Sequence, residues 1–175
     1  MLEPIYNRLP KAGVWQRGYA LSIDFAVVWL VSAILSANQI VVQSFVFGLA
    51  WFGLRVVLVV NNQGQSLGRW ALDMKVVEAK LGKKPGFLEL SKREGIVGLG
   101  ALLTIIGLSN LSRNATAVLL IIPLAVDCAV ALTEPIRRQA FHDRLANTLV
   151  IYTHRGYSLD RKVRKLFAQV RRRVR

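Results

Sequence analysis

The chain is poor in the groups that most enzymes use. Its one cysteine, Cys128, sits inside an apolar run. That excludes an internal disulfide framework and a thiolate zinc site, and reads as a buried structural thiol. Phosphate-binding loops, dinucleotide fingerprints and catalytic-triad patterns are all missing. An enzyme is therefore not expected, and neither is a cofactor or a metal site. A cleavable leader is not expected either: the first apolar block begins near Tyr19, lacks a small-residue cleavage pattern and carries Asp24. Nor does the sequence repeat itself strongly enough to argue an inverted-repeat transporter.

What is present is apolar sequence in long blocks with charge swept between them. Of 175 residues, 53% are hydrophobic, and 24 Lys and Arg stand against 10 Asp and Glu for a net charge of +14. Such an excess points to a polyanionic partner, either nucleic acid or an anionic membrane surface. A helix needs about 20 apolar residues to cross the hydrocarbon. Blocks at 19–37, 41–60, 95–111 and 115–133 supply candidates. The third is short and glycine-rich, at Gly95, Gly98, Gly100 and Gly107, which lets membrane helices approach closely. Pro123 in the fourth implies a kink rather than a break. The fold class expected is an all-α membrane protein, a bundle of about four transmembrane helices. Residues 1–155 form its body and residues 156–175 a basic tail.

The polar loop after the second block has structure of its own. Ser66 is placed to cap a short amphipathic helix, with Leu67, Trp70, Ala71 and Met74 on one face, lying on the membrane or against the bundle. Lys75–Ala79 and Thr148–Thr153 read as short extended pieces. Ser158 caps a terminal helix whose stripe includes Leu159, Val163 and Phe167, backed by Arg171, Arg172 and Arg173. That stripe fits a protein partner or anionic lipid headgroups. Nucleic acid is disfavoured, because Phe167 is the only aromatic residue after Tyr157 and no stacking platform exists.

Basic residues cluster before the first block, between the second and third, and after the fourth. With four spans all three clusters fall on one side, so both termini are expected in the cytoplasm of a plasma or internal energy-transducing membrane. Ionisable groups within the bilayer need partners or a purpose. Arg17 and Asp24 are seven residues apart, on one helix face but roughly 10 Å apart along the axis. Each is therefore expected to pair with another helix, although an ion site at Asp24 is the alternative. Depth in the sequence suggests that Arg55 pairs with Asp127. His142 beside Asp143 has no nucleophile near it, and a capping or packing role is expected.

These residues resemble a known family. Arg17, Asp24, the run Gly64-Gln65-Ser66-Leu67-Gly68-Arg69 and the run Phe141-His142-Asp143-Arg144-Leu145-Ala146-Asn147-Thr148 look like the RDD family of small membrane proteins. The resemblance implies that Arg17, Asp24 and Asp143 are its defining arginine and two aspartates. Met74-Lys75-Val76-Val77 fits the family's loop pattern, whereas Asn147 stands where glycine is common. Membership says little about mechanism. The expected function is an accessory or assembly subunit of a larger membrane complex of bioenergetic, photosynthetic or respiratory type. The alternative is a proton- or cation-coupled transporter acting as an oligomer.

Overall fold

Long apolar blocks give long helices in the computed structural model, which describes residues 10–36, 39–133 and 138–153. The tail residues Leu159, Val163, Phe167, Arg171, Arg172 and Arg173 lie outside the described residues. Helix α1 spans Val14–Leu35 and α2 spans Ile40–Asn61. Within α2, Gly53–Val57 winds as a π-helical turn centred on Arg55, a form that recurs at functional sites. A short helix, α3 (Leu67–Ala71), follows; the Ser66 hydroxyl accepts the Arg69 N–H at its start. Strand β1 is Met74–Glu78. Helix α4 runs Phe87–Asn110 and begins well before the apolar run at Gly95.

Helix α5 is Ala115–Thr133. Its first part, Ala115–Ile121, is a 3-10 helix and the remainder, Ile122–Thr133, is α-helical. Pro123 falls in the first turn of the α-helical part, where its missing N–H costs little. It marks a change of winding rather than a mid-helix kink. Helix α6 (Phe141–Leu145) and strand β2 (Thr148–Tyr152) complete the described fold.

The all-α expectation needs correcting. Strands β1 and β2 form a two-stranded antiparallel sheet with Val76 opposite Val150, and Lys11 bridges to Ile151. The sheet gathers residues around positions 11, 64 to 79 and 138 to 153 at one end of the molecule. From that end α1 runs out and α2 returns; α4 runs out and α5 returns. Three of these, α1, α2 and α5, are long and apolar enough to cross a membrane. Helix α4 has the length, but its first two turns carry Glu89, Lys92, Arg93 and Glu94. The short helix α3 also differs from expectation. Leu67 and Trp70 are exposed, whereas Gly68, Arg69 and Ala71 are buried against α1.

The second half repeats the first. Helix α6 and strand β2 reproduce α3 and β1 with a shift of 74 residues, 67–71 returning as 141–145 and 74–78 as 148–152. Equivalent details follow the same shift. Asp73 and Asn147 take left-handed φ values of 53° and 51° at the two helix-to-strand corners. Gln65 Nε2 donates to the Met74 carbonyl and Gln139 Nε2 to the Thr148 carbonyl, each at 2.9 Å. Each unit is thus a helical hairpin followed by a short helix and a strand. Two outward-and-back hairpins point the same way, so the units form a parallel repeat, the kind related by an axis along the membrane normal. The repeat is parallel, not the inverted kind for which the sequence offered no strong signal.

Packing places large apolar groups both inside and outside. Val28, Phe47, Trp51, Val97, Ala101 and Ile105 form a core among α1, α2 and α4, with Phe47 and Trp51 stacked at 5.5 Å. A side chain at Gly98 would meet the Trp51 ring at 2.8 Å and one at Gly107 the Ala117 carbonyl at 2.7 Å. Those glycines are what lets α4 lie so close to α2 and α5. Facing outward, Trp15, Ile34 and Val41 are 77%, 72% and 78% exposed, while Asp24, Arg55 and Glu94 are buried. In water that inversion would be untenable; it is the pattern of helices whose solvent is lipid.

Candidate functional site

The buried charges of both repeats meet in one network near the sheet end. Asp24 lies two turns beyond Arg17 on α1 and is fully buried. Its Oδ1 accepts the Gly68 N–H at 2.7 Å. Its Oδ2 accepts the Ser66 hydroxyl at 2.6 Å and Arg55 Nη1 at 2.7 Å. The short helix α3 is thereby tied by its first turn to the middle of α1. Gly68 is required for this approach, because a Cβ there would collide with the Ala20 carbonyl. Gly64 and Gln65 shape the turn that leads in. Gly64 has φ 86° with no room for a side chain against the Val76 carbonyl, and the Gln65 amide holds Met74.

Arg55 is positioned by the π-helical turn and joins the two repeats. Its Nε donates to Glu94 Oε2 at 2.6 Å and its Nη2 to Glu94 Oε1 at 3.2 Å, the bidentate geometry that fixes a guanidinium on a carboxylate. Its guanidinium also lies 4.9 Å over the Trp51 ring. Arg69 Nη2 donates to Glu94 Oε1 at 2.8 Å. Arg93 Nη1 stands 3.7 Å from the same oxygen. Glu94 therefore serves three arginines.

A second centre forms around Asp143. Arg17 Nη2 pairs with Asp143 Oδ2, and Arg17 Nη1 donates to the Arg138 carbonyl. Arg93 Nε is 2.8 Å from Asp143 Oδ1, and the Thr148 hydroxyl donates to that oxygen at 3.3 Å. Asp143 also reaches back to the Ala140 N–H at 3.4 Å, closing the start of α6. Burial opposes the charge on Asp143, but the Arg17 and Arg93 guanidiniums outweigh it and hold its carboxyl far below the usual range. For Arg69, burial and the neighbouring Arg93 and Arg55 charges push the guanidinium down to about 9.

Asp127 belongs to a third centre, not to Arg55. Its Oδ2 faces His142 Nδ1 at 2.5 Å, and its Oδ1 accepts the His142 backbone N–H at 3.0 Å. The expected Arg55–Asp127 bridge is overturned: Arg55 takes Asp24 and Glu94 instead. Depth along a helix does not say which way a side chain points, and the π-helical turn re-aims Arg55. His142 links this centre to the others, with Nε2 3.5 Å from Arg93 Nη2.

Arg17, Asp24, Arg55, Asp127, His142 and Asp143 are thus brought together, and Gln65 and Gly68 frame them. Arg144, in the same motif, faces outward. Sequence reasoning placed Ser66 and Arg69 in the family motif, and Ser66 as a cap, but not as partners of Asp24 and Glu94, and passed over Arg93 and Glu94 as site residues. The signal was available for Arg93-Glu94, two opposite charges at the threshold of an apolar run. Among the described residues no cluster of His, Cys, Asp and Glu suits a metal ion.

No curated protein and no solved structure matches the chain. The model of the RDD family matches residues 11–147, a stretch that contains Arg17, Asp24 and Asp143. With most of its length covered, including the three centres just described, the chain belongs to the RDD family of membrane proteins.

Proposed function

We propose that this protein is a non-enzymatic accessory or assembly subunit that binds a larger membrane complex through its helices and basic cytoplasmic face. The observation that carries the reading is the state of the four buried carboxylates. Asp24, Glu94 and Asp143 each sit on arginine, and Asp127 sits on His142. A cation pathway needs a carboxylate that can exchange partners, whereas these are held by two to four donors apiece or by charge pairs. Such a network is suited to fixing shape. In this reading helix α4 is a fourth span, the sheet end is cytoplasmic, and the apolar outer faces meet lipid or a partner's helices.

The test is isolation of the intact chain from its own membrane in a mild detergent. A defined larger complex is expected in stoichiometric yield, and recovery of the chain alone would count against the proposal. A second reading, proton- or cation-coupled transport by an oligomer, draws support from the parallel repeat, since transporter sites lie where repeats meet. Asp24 and Asp127 would then be the carboxylates of the pathway. Ion flux into reconstituted vesicles that is lost in Asp127→Asn would establish it.

A further inference from the structure

Between α1 and α5 the two repeats leave a cavity of about 290 Å³. Its polar wall is made by Arg17, Arg55, Arg69, Arg93 and His142, and no carboxylate lines it. Asp24, Glu94 and Asp143, which pair with these arginines, are not among its lining residues. Four arginines and a histidine thus line the cavity with no carboxylate among them.

Two of those arginines are incompletely partnered. Arg69 and Arg93 are only 3% and 2% exposed. Arg69 Nη1 and Arg93 Nη1 have no hydrogen-bond partner among the described residues. A buried unsatisfied charged donor costs more than an ordinary hydrogen bond returns. An acceptor is needed here, and the carboxylates already present are occupied. The lowered pKa of Arg69 agrees with positive charge that its surroundings do not fully compensate.

The remaining wall is apolar. Gly18 and Leu21 of α1, and Ala125, Cys128, Ala129 and Leu132 of α5, supply it. Several of these residues, Gly18, Ala129 and Leu132 among them, are also exposed on the outer surface that the apolar helices turn toward lipid. The cavity thus joins a cationic end near the sheet to an apolar cleft between two lipid-facing helices. Its volume is at the low end of ligand pockets, enough for a small anionic head and the first carbons of a chain.

We propose that this cavity is a binding site for an anionic lipid. The lipid's phosphate or carboxylate head would sit on Arg69 and Arg93, with its chain leaving between α1 and α5. The cavity's lining residues are all outside the basic tail in sequence, and the proposal does not depend on the docking role proposed above. Its chemistry is shared with free inorganic phosphate, but the apolar cleft gives a soluble anion nothing to bind.

The test uses the purified full-length chain in neutral maltoside micelles, titrated with phosphatidylglycerol and with phosphatidylcholine of the same acyl chains. Inorganic phosphate is titrated separately, and occupancy is read by native mass spectrometry. Phosphatidylglycerol should be retained and the other two should not. Gly18→Leu fills the cleft at a position where a side chain meets nothing within 4 Å, and Ala129→Leu fills it from the opposite helix. Each should weaken phosphatidylglycerol binding about tenfold with an unchanged melting temperature. The tail sequence is the same in all variants, so the difference reports the cavity. Arg69→Met should weaken phosphatidylglycerol binding from the polar end, with a lower melting temperature because it also takes a donor from Glu94. The proposal is overturned if the filled variants bind phosphatidylglycerol as the parent does. It is equally overturned if phosphatidylcholine or inorganic phosphate binds as well as phosphatidylglycerol.

Discussion

Glu94 is the residue on which the most charge converges, accepting from Arg55 and Arg69 with Arg93 close by. Removing one partner of a buried ion pair leaves the other charged and desolvated, at a cost of about 3 to 5 kcal/mol. Glu94→Gln should destabilise the folded protein by that amount in denaturant titrations in micelles, and a loss below about 1 kcal/mol would contradict the network. Asp143 gives a prediction in pH. Its carboxyl is held below the ordinary value of 3.8 by Arg17 and Arg93. Its contribution to stability is therefore complete above that value, and is lost as pH falls through the lower folded-state value. Melting temperatures measured across the acid range should fall steeply for the parent. Asp143→Asn should start lower at neutral pH and fall less; parallel curves would show that Asp143 gains nothing from folding.

At the scale of elements, the close approach of α3 to α1 depends on Gly68. Gly68→Ala forces a methyl against the Ala20 carbonyl and should cost about 1 to 3 kcal/mol. Gly18→Ala, on an open part of α1, should be neutral or slightly stabilising by its better helix propensity. Thermal unfolding of the two variants side by side distinguishes them, and equal losses would refute the packing argument. The long helices were legible because an apolar block is a local signal, and so was Ser66 as a cap. Helix α4 started earlier than hydropathy implied, because Arg93 and Glu94 look like loop residues until their partners on α6, and on α2 and α3, are known. Each strand was legible as an extended piece. Their pairing was not, since register between residues so far apart in sequence leaves no local trace. Asn147 replaces glycine at a left-handed corner, a position where asparagine is tolerated, so the one departure from the family pattern is conformationally mild.

For the whole molecule, the parallel repeat was hidden because the units share backbone and not chemistry. Arg69 corresponds by position to Asp143 and Gly68 to His142, so residues that are equivalent by fold carry opposite or unrelated charge. The unlike chemistry is what lets the halves attract across their interface. In the proposed four-span reading the sheet end faces the cytoplasm, as the clusters of basic residues suggest. In a Cys128→Ala background, Lys83→Cys should react with an impermeant maleimide only after the membrane is opened, whereas Ser112→Cys should react in intact cells. The reverse pattern would invert the topology. The central claim is that buried charges lock one repeat to the other, and the Arg55–Glu94 pair is its most direct point of test. Unfolding free energies should be measured for Arg55→Met, Glu94→Leu and the double variant. A coupling energy of about 2 kcal/mol or more is expected, and additive losses would contradict the account.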